Sequence, residues 1–498
     1  MTTSADIRSG AHGAHGAPGV RRQRVSLVCG AAAMAGFLFG YDSAVVNGAI
    51  TAIQRHFHAG TAAIGLTVSA ALLGAAAGAW TGGALADRLG RLRVMQIAAV
   101  LFVISAAGSL FPFALWDLAL WRVLGGIAIG IASVIAPTYI TEIAPPDRRG
   151  RYGSFQQLAI VLGICCSQLV DYALTCAAGG DTTGGLGGLP AWRWMLGICA
   201  VPALAYLVLT LRIPESPRWL AARGRVAEAA AVLARLEGGE QAVDRIEDIR
   251  ASLRRSAATR PRLRDLCGGR FGLLPLVWLG IGLSVLSQFV GINVIVYYAS
   301  VLWQSTGISQ SDSLLISLST SVTNIVGTLI AVALVDRVGR KPLIVAGSVG
   351  MTVSLAAVAW AFSGGSGSGG HLALPALQGT VALVAAHAFV LCFAFSWGAV
   401  LWVLLGELFP NRLRALALAV AVLFQWLANW AVTVSFPLMA QWNLTASYIV
   451  YAAFAALSVP FAVRFLKETR GRRLEELEES VGESGEPWRA PRQRPGNS

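Results

Sequence analysis

Asp42 lies inside the apolar run Met34-Ala-Gly-Phe-Leu-Phe-Gly-Tyr-Asp-Ser-Ala-Val-Val-Asn-Gly48. If that run is a helix in a bilayer, a charge near its centre costs about 2.5–3.5 kcal/mol on insertion scales. A group that is expensive when charged and tolerable when neutral is suited to taking up and releasing a proton. Such a group needs a counter-charge, because an unpaired buried charge is costlier still. Arg122 is the basic residue placed within another apolar core. With the first apolar segment ending near Ile50, Asp42 sits about 12 Å inside it at 1.5 Å per residue. Arg122, just past Asp117, enters from the same side to a comparable depth. Deprotonated Asp42 is expected to pair with Arg122, and protonation to release the pair. A static structural ion pair is the alternative. A second set of residues is polar but uncharged: Gln157, Ser287, Gln288, Asn293 and Gln425 stand in otherwise apolar segments, with Trp402 and Trp426 nearby. Amide side chains offer paired donors and acceptors, and they also serve as glue between membrane helices.

The elements that must position these groups are long apolar helices. Of the 498 residues, 55% are hydrophobic and 13% charged, about half the charge of an ordinary soluble chain. Stretches long enough to cross a ~30 Å hydrocarbon core recur along the chain. Twelve are expected, centred near residues 38, 74, 102, 127, 163, 201, 286, 323, 352, 392, 424 and 454. The net charge of +13 does not point to nucleic acid. When the segments are placed alternately, with the N-terminus in the cytoplasm, 36 of the 39 Lys and Arg residues fall on the cytoplasmic side. Arg55, Arg122 and Arg193 are the exceptions. That bias is the positive-inside rule, and it places both termini in the cytoplasm. Arg21-Arg-Gln-Arg24 before an apolar run resembles a signal peptide, but no small-residue cleavage site closes a short apolar core, so an uncleaved first helix is expected. The seven cysteines show no metal-ligand spacing and read as packing residues.

The chain repeats its own punctuation. Asp87-Arg-Leu-Gly-Arg91 returns as Asp336-Arg-Val-Gly-Arg340, and Glu142-Ile-Ala-Pro-Pro-Asp-Arg-Arg149 as Glu407-Leu-Phe-Pro-Asn-Arg-Leu-Arg414. Pro214-Glu-Ser-Pro-Arg-Trp219 is loosely echoed by Lys467-Glu-Thr-Arg-Gly471. Three matches in order, each after an even-numbered segment, indicate a duplicated six-helix unit with a substrate path between the halves. The expected fold is an all-α membrane protein of twelve transmembrane helices in two six-helix halves, residues 25–212 and 269–468. A cytoplasmic helical linker, 213–268, joins them, with short helices predicted at 227–236 and 243–253. Tails at 1–24 and 469–498 complete the division, and Gly364–Gly370 reads as an outer loop.

These motifs resemble the sugar porter family of the major facilitator superfamily over about residues 25–475. The general superfamily signal is Gly83-Ala-Leu-Ala-Asp-Arg-Leu-Gly-Arg91. The narrower signals are Pro214-Glu-Ser-Pro-Arg-Trp-Leu220, Gln288-Phe-Val-Gly-Ile-Asn-Val-Ile-Val-Tyr-Tyr298 and Glu407-Leu-Phe-Pro410. Phe39-Gly-Tyr-Asp42 and Gln425-Trp-Leu-Ala-Asn429 are similar to the proton-coupled bacterial xylose, galactose and glucose porters. The resemblance implies that Gln157, Gln288, Asn293 and Gln425, together with Ser287, meet sugar hydroxyls, and that Trp402 and Trp426 pack against the ring. Such a site suits a ligand with many hydroxyls and no charge. The resemblance also implies that Asp42 with Arg122 couples protons, since facilitators of the family carry Asn at that place. The chain departs from the family pattern at Ser287, where an amide is usual, before Trp402, where a proline is usual, and at Lys467, where a proline begins the last motif.

The duplicated loops carry a different expectation. Asp87, Arg88 and Arg91 with Glu142 and Arg149, and Asp336, Arg337 and Arg340 with Glu407 and Arg414, would form a salt-bridge network under each half. Such a network would stabilise the outward-facing state and break on inward opening. Exposed pairs are each worth about 0–1 kcal/mol, so only a network could bias the equilibrium. No GxxxxGK[ST] loop for ATP is present, and His56 and His58 are too few for a metal site. The reading is a proton-coupled monosaccharide importer, for a hexose such as glucose, working by alternating access. It would act as a monomer in the bilayer of the cell membrane, without cofactor or nucleic acid, and not as an enzyme. An uncoupled facilitator, a non-transporting sugar sensor and a drug exporter are the alternatives, in that order.

Overall fold

The computed structural model describes residues 18–145, 149–236, 238–257, 263–268, 272–365, 374–409, 413–466 and 468. The expected tails therefore lie largely outside the described residues, as do Lys467 and most of the Gly364–Gly370 loop. Eleven described helices are long and apolar enough to cross a membrane. Spans 1–6 are Gln23–His56, Thr61–Leu89, Arg91–Leu110, Leu115–Ile143, Tyr152–Ala177 and Ala191–Thr210. Spans 7–10 are Pro275–Ser305, Gln310–Val338, Arg340–Ser363 and Ala376–Leu408. The last helix, Leu416–Phe465, has 50 residues, far more than one crossing needs. It breaks at Asn443, whose φ of −162° and ψ of 108° are not helical. The parts before and after that break are spans 11 and 12, so the architecture is twelve-spanning.

Helix reaches earlier in the chain than the expected boundary between tail and first half. It begins at Pro18, a residue suited to the first helical position because it lacks the N–H that would go unused there. Outside the helices, residues Gly185–Leu186 and Leu189–Pro190 form a small antiparallel hairpin between spans 5 and 6.

Small residues bring the helices close. Gly74 and Gly78 of span 2 face the main chain of span 4 at Val123 and Ile127, and Gly126 and Gly130 of span 4 face Ala71 and Ala75 in return. An added methyl at any of the four would meet a backbone carbonyl. This interdigitation of small residues is the usual means of close packing where no hydrophobic effect separates helix from lipid. Gly40 and Gly163 do the same between spans 1 and 5.

Two spans are interrupted where polar groups gather. Span 7 breaks between Phe289 and Ile292, with Gly291 in the left-handed region at φ 83°. Span 10 contains a π-helical turn at Ala394–Gly398. That turn lies just before Trp402, where the family's proline is missing, and π-bulges bend helices as proline does.

The linker forms three helices, Pro217–Ala222, Val226–Leu236 and Gly239–Ala257, packed on Leu220, Ala229, Leu233, Ala242 and Ile246. The third starts a turn before the predicted 243 and ends a turn beyond 253. This bundle caps the helices above it. Arg223 donates to the main-chain oxygens of Asp87 and Arg88, and Trp219 Nε1 to that of Asp87. Arg245 Nη2 donates to Ala144 O at 2.7 Å. Cationic donors at helix C-termini satisfy orphan carbonyls and oppose the helix dipole.

Candidate functional site

Asp42 and Arg122 meet. Arg122 Nη1 lies 3.1 Å from Asp42 Oδ1, and its Nη2 donates to the Asp42 main-chain oxygen at 3.0 Å. The residues are 5% and 3% exposed, so the pair is dry. Asp42 Oδ2 and Arg122 Nε are buried with no hydrogen-bond partner. A small apolar cavity lined by Ile50, Ile53, Ile64, Val68, Leu118 and Leu196 ends on Arg122. Cys199 of span 6 is buried close to both charges.

The amides of span 7 are joined in a chain. Asn293 Nδ2 donates to Gln288 Oε1 at 2.6 Å, Gln288 Nε2 to Ser287 Oγ at 2.9 Å, and Ser287 Oγ to Ser284 O at 2.7 Å. The break at Gly291 lets residues 288 and 293, five apart, reach one another across two helical segments. Ser287 has its hydroxyl proton committed to the main chain and orients the neighbouring amide. Gln288 keeps one N–H and one lone pair free for a ligand.

Across from these, Trp426 packs against Phe39 with ring centroids 5.5 Å apart, linking span 11 to span 1. Gln425 Oε1 and Trp426 Nε1 are buried and unpartnered. Trp402 is half-buried against the core. Gln157 is also half-buried, while its neighbour Gln156 is buried against Gly36 with neither amide atom partnered. Buried polar atoms left unpaired are rare and each calls for a partner. Here they cluster on spans 1, 5 and 11.

Several polar contacts were not singled out in the sequence. Asn47 joins four spans: its Nδ2 donates to Gln168 Oε1 and to Ser317 Oγ, each at 3.1 Å, and its Oδ1 accepts the Ser300 N–H at 2.9 Å. Ser300 Oγ donates to Asn47 O. Thr51 with Gln304, and Thr182 with Gln310, add further bonds between the halves. All of them lie at the end of the bundle remote from the linker, so the halves are joined there. Asn47→Ala is expected to favour opening at that end about tenfold, since several bonds are lost but water replaces part of them. Labelling of a cysteine placed at Thr51 checks this: an unchanged labelling rate would mean that Asn47 does not hold the halves together.

The charged loops form two clusters. Arg91 bonds Glu142 through Nε and Nη2, each at 3.1 Å, and Asp87 through Nη1 at 3.1 Å. Arg340 lies 2.9 Å from Glu407 and 3.2 Å from Asp336. Arg414 Nε donates to Phe409 O at 3.2 Å. Arg88 and Arg337 are exposed on the helix surface. The side chain of Arg149 lies outside the described residues.

Two carboxylates complete the clusters, and the third sequence repeat had placed them in register. Glu215 accepts the N–H groups of Arg91 and Leu92 at the start of span 3. Glu468 accepts those of Arg340 and Lys341 at the start of span 9. Burial pushes the Glu215 carboxyl up, while these N–H bonds and Arg91 pull it down. Glu215→Ala should cost about 1–2 kcal/mol of stability, the worth of an N-terminal cap with its dipole contribution. Thermal unfolding in detergent measures it, and an unchanged midpoint would mean that water replaces the cap fully.

Known proteins are similar to this chain in sequence and fold. Residues 28–481 match the family model described as sugar (and other) transporter. The chain is 50% identical over 455 residues to a glucose transport protein of Synechocystis sp., covering 91% of this chain and 97% of that one. It is 36% identical over 480 residues to the D-xylose-proton symporter of Escherichia coli K12, covering 90% of this chain and 94% of that one. The solved structure of the proton:xylose symporter XylE bound to 6-bromo-6-deoxy-D-glucose superposes with a TM-score of 0.77. That match has 34% identity and covers 92% of this chain and 99% of that one. With its apolar helices and these matches, the chain is a multi-pass membrane protein and belongs to the sugar (and other) transporter family.

Proposed function

We propose that this protein imports a monosaccharide, a hexose such as glucose, together with a proton, by alternating access. The observation that carries the reading is the buried Asp42–Arg122 pair, with one carboxylate oxygen left free. Protonation of that oxygen removes the charge that holds Nη1 and loosens span 1 from span 4. Span 1 also carries Phe39, in contact with Trp426, and Asn47, in contact with spans 7 and 8. A proton at Asp42 is thereby felt where sugar binds and where the halves meet. The likeness to a glucose transport protein supports a hexose. Gln157, Gln288, Asn293 and Gln425 are assigned to its hydroxyls, Trp402 and Trp426 to its ring, and Ser287 to orienting Gln288.

The same reading assigns residues 25–212 and 269–468 to the moving halves, with the linker bracing them from the cytoplasm. The Arg91–Glu142 and Arg340–Glu407 clusters each lie within one half and are formed while the halves are joined at the end remote from the linker, so they brace each half as a rigid body through the cycle. The protein works as a monomer in the cell membrane, with both termini in the cytoplasm, as the one-sided placement of Lys and Arg supports. One observation favours an uncoupled facilitator instead: Arg122 Nη2 holds the Asp42 main-chain oxygen, a bond that protonation of the side chain does not remove.

Purified protein in liposomes separates the two readings. Glucose, galactose, xylose and inositol are added singly while internal pH is recorded. Acidification triggered by one sugar identifies a symporter and its substrate. Sugar entry without acidification identifies a facilitator, and no entry of any sugar rejects transport of these ligands.

A further inference from the structure

Asp171 of span 5 is 0% exposed. Neither of its carboxyl oxygens has a hydrogen-bond partner, and no ion pair among the described residues includes it. It is wedged against span 1: a methyl group at Gly48 would lie 2.6 Å from Oδ2, and the nearby Gly48 main-chain N–H offsets the charge in part without forming a regular hydrogen bond. Gly48 follows Asn47, the residue that joins the halves, and Gln168, one turn before Asp171, is bonded to Asn47. Residues three apart share a helix face. Water that reaches Asn47 and Gln168 when spans 7 and 8 withdraw therefore reaches Asp171 as well.

We propose that Asp171 is a second proton-binding group, and that the halves close at the end remote from the linker only when its carboxylate has taken up a proton. The proposal rests on the alternating-access reading above. A solvated aspartate is ionised at neutral pH, whereas an ionised carboxylate sealed in a dry interior without a partner is strongly disfavoured. On closing, the carboxylate and one proton from the solution on that side become the neutral acid. On reopening, the proton returns to the same side. Asp171 thus sets the pH dependence of closing without adding to the protons carried per sugar.

The titratable neighbours leave this role open to it. Tyr41 of span 1 faces Asp171 with its phenol oxygen buried and unpartnered. Arg122 of span 4, the nearest buried cation, is engaged by Asp42. Cys166 of the same span and Cys199 of span 6 are apolar thiols beside Tyr41. On span 8, Asp312 faces Tyr172 instead.

Two measurements test this on the full chain in nanodiscs and liposomes. Infrared spectra at neutral pH with carbon-13 aspartate should show a protonated carboxylic acid band that disappears in Asp171→Asn. A band that persists in that variant, or is missing from the wild type, overturns the proposal whether or not the protein carries sugar. Sugar counterflow should fall with rising external pH, approaching about tenfold per unit for a single required proton. Asp171→Asn should flatten that fall and Asp171→Glu should restore it. An Asp171→Asn profile equal to the wild type also rejects the idea. If Asp171→Asn does not fold, the labelled wild-type band and its loss in Asp171→Glu, whose side chain carries no label, still decide.

Discussion

Asp42→Asn abolishes uphill sugar accumulation while sugar exchange between the two sides of the membrane continues. Asparagine keeps the size of the side chain and an oxygen for Arg122 Nη1, now 3.1 Å from Asp42 Oδ1. The main-chain bond from Nη2 is untouched. Only the exchangeable proton is lost. At one proton per sugar, each unit of pH difference supplies 1.36 kcal/mol, or about tenfold accumulation. In vesicles with an imposed pH gradient the variant should fall to an accumulation ratio of about one, with counterflow within severalfold of wild type. Accumulation surviving the substitution would move the coupling proton elsewhere. Arg122→Ala is a harsher change, because it leaves a carboxylate buried without a partner, a loss of about 3–5 kcal/mol in stability. The two variants separate chemistry from architecture: the first stops coupling in a sound protein, and the second weakens the protein itself.

Gln288→Ala weakens sugar binding by about 30- to 700-fold. The amide supplies a ligand bond of about 1 kcal/mol, and its removal strands Asn293 Nδ2, whose 2.6 Å bond ends on Gln288 Oε1. A buried polar group left without a partner costs a further 1–3 kcal/mol, and 1.4 kcal/mol is tenfold in affinity. Ser287→Ala should cost only severalfold, because it frees Gln288 to turn without deleting a ligand group. Titration of sugar by calorimetry distinguishes the two. Equal losses at both positions would mean that Ser287 touches the sugar directly.

Much of this molecule is legible in its letters because membrane insertion imposes a coarse code. Apolar length marks the spans, and the repeated Asp-Arg-x-Gly-Arg loops mark the duplication. A lone Asp and a lone Arg at matching depth in different spans could be suspected of meeting, since few other arrangements would tolerate them. Asn47 and Asp171 were harder to read. Asn47 follows Asp42 by five residues and has no unusual neighbours; its importance comes from Ser300 and Ser317 in the other half. Asp171 stands beside Tyr172 near the end of span 5, where an interfacial carboxylate would be unremarkable. Only the absence of a side chain at Gly48 lets it sink into the helix contact. The missing proline before Trp402 gave no hint of a π-turn, because that turn is specified by packing and not by one residue type.

That turn at Ala394–Gly398 carries one residue more than a regular helix would hold. The Ser396 hydroxyl within it donates back to the Cys392 carbonyl of the preceding helix. One residue of helix is 100° of rotation and 1.5 Å of advance. Were the turn to relax to ordinary winding, everything beyond it would unscrew by that amount. The Trp402 indole would swing away and Leu401 would come round in its place. The same twist would drag Glu407, at the far end of the segment, off Arg340. A quarter-turn of one short rod thus ties the face on which Trp402 sits to an ion pair at the opposite end of the span.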